Sequence, residues 1–224
     1  MNESLFCSIF KMMQADTVQH EVRDLILDAA ERLLVHYGYQ KMTMQDLAQE
    51  AGIGVGTTYL HFKGKADVAL GVVERANARV MERLRSIAAS DLSPEERLRE
   101  MLIARVLLRY EGARKNKHRL EEMVNAIRAA MRDGQRKWKW LEIEPAIFAE
   151  VLAEGERKGV FSFGAQFDSV DTVAATMMLA MRSMMPDLLC GTDFDEPEQF
   201  RQRVEWLTEL LMRALRPDVS LVSE

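Results

Sequence analysis

Residues 43–65 read TMQDLAQEAGIGVGTTYLHFKGK and contain two short helical patterns joined by a glycine-rich turn. Thr43 precedes the first pattern, where its hydroxyl can accept hydrogen bonds from the free N–H groups of the first helical turn. Gly52 supplies a turn residue without a Cβ, and Ala48 supplies the small side chain that lets two helices cross closely. This order predicts a helix-turn-helix whose second helix runs from Val55 to His61.

The second of these helices carries side chains suited to a nucleic-acid groove. Short or hydrogen-bonding groups, which enter a major groove without a steric penalty, are Val55, Thr57, Thr58, Tyr59 and His61. The apolar residues around them are expected to form a small core, which would include Leu47, Ala51, Ile53, Leu60 and Phe62.

Helical periodicity continues along almost the whole chain, and no segment alternates like a strand before a hairpin turn. We therefore predict an all-α fold of about nine helices. Apolar spacing, capping residues, glycines and prolines place these helices near 22–37, 44–51, 55–61, 63–89, 93 onward, 116–140, 145–158, 168–185 and 195–215.

Composition excludes several classes of protein. Hydrophobic residues make up 48% and charged residues 29% of the 224 residues, as in globular proteins. The longest uncharged apolar run, Val173 to Met181, is far shorter than the roughly 20 residues that span a bilayer. No basic segment precedes the first apolar stretch, and the two cysteines lie far apart, so we expect a cytoplasmic protein with no membrane partner. Residues 1–20 lack an apolar stripe and are expected to form a flexible arm.

The N-terminal part resembles the DNA-binding domain of the TetR family of transcriptional regulators. The matching positions are Gly38, Thr43, Leu47, Ala48, Ala51, Gly52, Ile53, Gly56, Thr57, Tyr59, Phe62 and Lys65. The likeness covers roughly 50 of the 224 residues. Two positions depart from the family pattern: Gly54 stands where many members have a capping serine, and Val55 where many have lysine or a polar residue.

The resemblance implies a role for each residue of this segment. Thr43 and Tyr59 would hold phosphates, and His61 and Lys65 would bind the DNA backbone at the end of the recognition helix and the start of the next helix. The residues at or near base edges would be Gln45, Val55, Thr57 and Thr58, with Gly56 among them.

The resemblance also implies a division of labour along the chain. Residues 21–65 would bind double-stranded operator DNA, and residues 66–217 would bind an effector and dimerise. Segments 168–185 and 196–215 would pair with a second subunit, so that a homodimer repressor reads a near-palindromic operator and a small molecule releases it. The candidate effector pocket comprises Met101, Arg105, Leu108, Met123, Ile127, Trp138, Phe148, Met177 and Met181.

Charge leaves two interpretations open. Residues 20–70 hold five basic and seven acidic groups, which is weak electrostatics for a DNA-binding module and favours, as the alternative, a dimeric small-molecule-binding protein that no longer binds DNA. Residues 97–139 hold thirteen basic and five acidic groups. This block is a solvated face, or a source of arginines, such as Arg105, Arg109 or Arg128, for an anionic effector, or a set of charges that approach DNA.

Catalysis and metal binding find no support in the sequence. The four histidines form no ligand spacing, and no nucleophile or acid–base motif occurs, so we predict neither an enzyme nor a metal or cofactor. The glycines at 52, 54 and 56 lack the preceding strand and the following Gly-Lys-Ser/Thr of a phosphate-binding loop.

Overall fold

The structure, a computed structural model, describes residues 3–114, 124, 140–164, 167–186 and 194–217. Within these ranges it contains helices and no strand, which confirms the predicted all-α fold of about nine helices. The helices are α1 (Glu3–His36), α2 (Gly38–Lys41), α3 (Met44–Ala51), α4 (Val55–His61), α5 (Lys65–Ala88), α6 (Pro94–Arg114), α7 (Trp140–Arg157), α8 (Val170–Ala180) and α9 (Pro197–Ala214).

The first helix is longer than predicted. We expected a flexible arm over 1–20 and a helix from residue 22, but α1 begins at Glu3. The segment ahead of Val22 contains good helix formers and neither glycine nor proline, so nothing in it interrupts the helix. An apolar stripe reports burial and not helix formation, which is why its absence misled the prediction.

Three other boundaries differ from prediction. The short helix α2 begins at Gly38, whose φ of 77° ends α1 as predicted, but α2 itself was not foreseen. Helix α7 was predicted to start at Pro145, which instead lies inside it. Helix α8 ends at Ala180 and continues as a 3₁₀ turn over Met181–Met184, whereas we expected one helix to residue 185. The helix predicted over 116–140 falls almost wholly outside the described residues.

The chain divides into two compact units, and the division falls inside α5, between Val73 and Glu74, beyond the predicted domain boundary at residue 65. The first unit has a core of α1 side chains packed on α3. Its fully buried members include Ile26, Ala29, Ala30, Leu47, Phe62 and Val68. A Cβ on Gly71 would lie 3.0 Å from both Leu27 Cδ2 and Phe62 Cε1, so glycine allows α5 to approach these side chains.

The second unit has its own apolar core, in which α6 packs against α7 and α9, and α7 packs against α8. Its largest fully buried side chains include Leu84, Leu98, Met101, Leu102, Phe148 and Phe200. The predicted capping box that opens α6 is present: the amide of Glu96 donates to Ser93 Oγ at 3.2 Å, and the amide of Ser93 donates to Glu96 Oε2 at 3.0 Å. The Ser93 hydroxyl, which donates to Glu96 Oε2 at 2.7 Å, and the Ser93 amide together lower the pKa of the Glu96 carboxyl. At the start of α8, Ser169 Oγ accepts a single bond from the amide of Thr172 at 3.2 Å.

Candidate functional site

The turn between α3 and α4 is fixed by local hydrogen bonds. Thr43 Oγ1 accepts from the amide of Asp46 at 3.1 Å, and the Asp46 carboxylate accepts from the amide of Thr43 at 3.0 Å, which closes a capping box at the start of α3. Gly52 ends α3 in the left-handed region with φ of 70°, a conformation that disfavours other residues. Gly54 precedes α4 without a side-chain cap. The structure therefore contains the predicted helix-turn-helix.

Helix α4 presents one buried and one open face. Thr58 is fully buried and Phe62, just after the helix, is 2% exposed. Val55, Tyr59 and Leu60 are 38%, 54% and 85% exposed. A seven-residue helix with an open face of this kind is able to enter a groove of a duplex.

Most of the predicted DNA-contacting residues are accessible. Gln45, Gly56 and Thr43 are exposed, although the Thr43 hydroxyl is also held in the capping box, and Thr57 and His61 are half-buried.

Two predictions for α4 are wrong. Thr58 was expected near base edges, but its side chain points into the core of its own unit and is fully buried. Leu60 was expected in that core and is the most exposed large apolar side chain among the described residues. Two helical turns contain too few apolar residues to fix their rotation from sequence.

Lys65 lies at the first position of α5 and is directed at its own chain. Its Nζ donates to the carbonyl oxygens of Gln40 at 3.1 Å and Tyr39 at 3.4 Å, and lies 4.8 Å from the centre of the Tyr39 ring. Burial raises the pKa of the Tyr39 hydroxyl. Lys65 thus joins the start of α5 to the end of α2 in addition to any contact with a phosphate.

The predicted pocket residues separate into three groups. Those buried in the core of the second unit are Met101, Arg105, Phe148, Met177 and Met181. Leu108 is 38% exposed and does not belong to that set, although it lies seven residues after Met101 on the same side of α6. Met123, Ile127 and Trp138 lie outside the described residues.

Buried polar groups accompany this apolar core. Glu144 on α7, which is 2% exposed, accepts hydrogen bonds at the same oxygen from Arg105 Nε at 3.0 Å and from Arg109 Nη1 at 2.9 Å. Arg109 Nε donates to Asn77 Oδ1 at 2.9 Å. Sequence reasoning missed Glu144, although its position four residues before Phe148 places both on the core-facing side of α7.

The helices predicted to dimerise expose apolar side chains. Leu179 on α8 is 73% exposed, and Trp206 and Leu210 on α9 are each 64% exposed. Trp206 and Leu210 are four residues apart and so share one face of α9. The prediction relied on the buried stripe of α9 and did not single out this second, open face.

Among the residues that the structure describes, no group of three or more histidine, cysteine, aspartate or glutamate side chains could hold a metal ion. No helix in the same part of the chain is both long enough and apolar enough to cross a bilayer.

Comparison with known proteins relates these features to one family. Residues 26–72 match the sequence profile described as bacterial regulatory proteins, tetR family. An HTH-type transcriptional regulator of Staphylococcus aureus is 36% identical over 63 residues, which are 28% of this chain and 33% of that regulator. The chain thus spans about a third of the length of that curated relative.

Solved structures extend the likeness to most of the chain. A TetR-family transcriptional regulator from Pectobacterium atrosepticum superposes with a TM-score of 0.68 at 20% identity, over 90% of this chain and 97% of that one. FadR of Thermus thermophilus, a TetR-family repressor in complex with lauroyl-CoA, has a TM-score of 0.59 at 23% identity, over 90% and 99%. Residues 26–72 are therefore similar to the N-terminal domain of the tetR family of bacterial regulatory proteins, and the chain has the fold of these solved structures.

Proposed function

We propose that this protein is a homodimeric, ligand-responsive transcriptional repressor that leaves a near-palindromic operator when a small molecule binds. Residues 21–65 bind DNA, and residues 66–217 bind the effector and dimerise. The protein works in the cytoplasm by binding and not by catalysis. The observation that carries the proposal is the open face of α4 after a capped α3 and a left-handed Gly52.

The chemistry of α4 supports contact with a duplex. Tyr59 offers a hydroxyl for a phosphate oxygen, and Val55 offers a methyl surface for the C5-methyl group of thymine. Leu60, at 85% exposure, adds a second apolar contact that the sequence did not suggest. A cluster of Lys41, Lys63 and Lys65 lies at helix ends in the same unit and supplies positive charge where the unit's overall balance is acidic.

The open face of α9 formed by Trp206 and Leu210 supports dimerisation, as does the exposed Leu179 on α8. Exposed apolar patches on a globular protein commonly mark interfaces. A two-fold dimer presents two recognition helices at a fixed spacing of about 34–36 Å, one turn of B-DNA, and so demands an operator with two-fold symmetry.

Release of DNA requires that the effector favour one conformation over another. A ligand that binds both states equally shifts nothing, and couplings of about 1–3 kcal/mol are typical. Helix α5 is continuous from Lys65 to Ala88 and belongs to both units, so a change in the tilt of α5 moves the DNA-binding unit. FadR of Thermus thermophilus in complex with lauroyl-CoA and FadR of Bacillus subtilis in complex with stearoyl-CoA share this fold, which supports the binding of a small molecule by this chain.

A dimeric small-molecule binder without DNA affinity is the second candidate, favoured by the acidic excess of residues 20–70. A gel shift with duplex from upstream of the protein's own gene separates the two. Phosphate contacts are strongest at low salt, so the repressor should bind at about 50 mM salt and weaken steeply by about 200 mM. A dimer in sedimentation that shows no shift at low salt would refute the repressor and establish the second candidate.

A further inference from the structure

The interior of the second unit contains an arginine with too few partners. Arg105 is 5% exposed, and its Nε shares one oxygen of Glu144 with Arg109 Nη1. Its Nη1 is buried and has no hydrogen-bond partner among the described residues. A guanidinium has five N–H donors. Burying a donor without an acceptor costs more free energy than a typical hydrogen bond contributes.

The surroundings of Arg105 shift the pKa of its guanidinium in opposite directions. Burial lowers the pKa of Arg105, the charge of Glu144 raises it, and the positive charges of Arg109 and Arg182 lower it further. Buried charges in folded proteins are normally compensated by opposite charge and hydrogen bonds. Here Glu144 Oε1 is shared between Arg105 and Arg109, and Arg105 Nη1 is left without an acceptor among the described residues.

The surroundings of the cluster are apolar. Met101 lies one turn before Arg105 on α6, and Phe148 lies one turn after Glu144 on α7, so each shares a helix face with its charged neighbour. Met101, Phe148 and Met181 belong to the same buried core, and Met181 directly precedes Arg182. Methionines adapt to apolar ligands of varied shape.

We propose that Arg105 binds the anionic end of an amphiphilic effector, a carboxylate or a phosphate, while the apolar body lies against the adjacent methionines and Phe148. This deepens the proposed function, on which it rests, by naming the chemical class of the inducer. The anion supplies the acceptor that Arg105 Nη1 lacks. The guanidinium suits both groups because its planar fork matches their oxygens.

The test compares three probes with the same twelve-carbon chain: dodecanoate, dodecyl phosphate and the neutral dodecanol, each below its micellar concentration. Binding to the full-length protein is followed by calorimetry and by the rise in Tm that a ligand of the folded state produces. We expect at least one of the two anions to bind about ten- to a hundredfold more tightly than dodecanol. The anion that binds more tightly identifies the effector as a carboxylate or as a phosphate.

Two matched variants assign the preference to Arg105. Arg105→Gln should reduce the affinity for the preferred anion to that for dodecanol, whereas Arg85→Gln, which removes the same charge from an exposed position of α5, should leave the preference unchanged. If Arg105→Gln does not fold, Arg105→Lys retains the charge but loses the fork and should weaken the preferred anion by about tenfold.

Equal binding of the anions and dodecanol, absence of binding, or an anion preference that survives both Arg105 variants would overturn the inference. A gel shift without ligand on the same wild-type preparation keeps the two levels apart. Operator binding with no anion preference overturns the inference alone, whereas loss of operator binding with an intact, Arg105-dependent preference overturns the repressor function alone.

Discussion

The ammonium group of Lys65 lies 4.8 Å from the centre of the Tyr39 ring and donates a hydrogen bond to the carbonyl oxygen of that same residue. The Tyr39 and Gln40 carbonyls belong to the end of α2, where a helix leaves its last acceptors without partners. One side chain therefore satisfies both oxygens and holds the start of α5 against the end of α2.

Replacing Lys65 with Gln should destabilise the first unit before it affects DNA. The variant loses the cation over the aromatic ring and at least one of two charge-assisted hydrogen bonds, which together contribute about 1–2 kcal/mol. Urea unfolding of the two proteins measures this loss. Lys63 lies two residues before Lys65 and is exposed. Lys63→Gln removes the same charge and should leave the unfolding free energy unchanged. Equal effects of the two substitutions would show that charge alone, and not the contact with Tyr39, matters.

Replacing Tyr59 with Ala should abolish operator binding while leaving the fold and the dimer intact. Its ring is 54% exposed, so truncation removes little of the core, but it removes a contact to DNA worth about tenfold or more in affinity. Fluorescence anisotropy with labelled operator gives the affinity, and sedimentation gives the oligomeric state. Tyr37, a tyrosine of similar exposure outside α4, is the control, and Tyr37→Ala should bind normally. Unchanged affinity of the Tyr59 variant would refute the assignment of α4 as the recognition helix.

Thr57 and Thr58 are adjacent in sequence but should behave oppositely when changed to Val. Thr58 is fully buried, and its hydroxyl has no hydrogen-bond partner among the described residues. Thr58→Val should therefore leave the affinity for DNA unchanged and should leave the unfolding free energy unchanged or raise it by up to about 1 kcal/mol. Thr57 is half-buried, and Thr57→Val should weaken operator binding without loss of stability. For each variant, fluorescence anisotropy gives the affinity for the operator and urea unfolding gives the stability. A loss of DNA affinity in Thr58→Val would return Thr58 to the DNA interface.

These contrasts show where sequence reasoning succeeds. The Thr43–Asp46 capping box and the Gly52 turn were predictable because each is decided within four residues of chain. The rotation of α4 was not, since two turns of helix give no periodicity from which to tell Thr58 from Leu60. Glu144 and Arg105 are 39 residues apart in sequence, and only the packing of α6 on α7 brings them together.

Glu154 should make the stability of the second unit sensitive to acid. Hydrogen bonds from Arg97 and Lys158 lower the pKa of Glu154 to about 2 from an ordinary 4.5. A carboxylate with a lowered pKa in the folded state stabilises fully above its unfolded pKa and loses that contribution as the pH falls through the folded value. The stability difference between wild type and Glu154→Gln should therefore be constant near neutral pH and shrink between about pH 4.5 and 2.

Urea midpoints of both proteins at pH 7, 4 and 2.5 measure that window. Lys158→Gln removes the more exposed of the two partners and should narrow the pH range over which this stability difference shrinks. A difference between wild type and Glu154→Gln that stays constant down to pH 2.5 would contradict the assigned bonds from Arg97 and Lys158.

Gly155 and Gly112 form a matched pair of helical glycines near the ends of α7 and α6, and changing each to Ala should have opposite effects. A Cβ at Gly155 would clash with Phe161 Cδ2, so the ring, which is 4% exposed, must shift. Overpacking of this kind costs about 1–3 kcal/mol. A Cβ at Gly112 meets nothing within 4 Å, and the helix gains up to about 1 kcal/mol from the better helix former.

Thermal unfolding of the two variants in parallel gives the answer without a ligand or DNA. Gly155→Ala should lower Tm and Gly112→Ala should raise it or leave it unchanged. Because Phe161 follows the α7 terminus, where its amide donates to the Gly155 carbonyl at 3.2 Å, the double variant Gly155→Ala/Phe161→Leu should recover part of the loss by removing the clash. Equal stability of Gly155→Ala and wild type would mean that the ring of Phe161 does not pack over Gly155 as the structure has it.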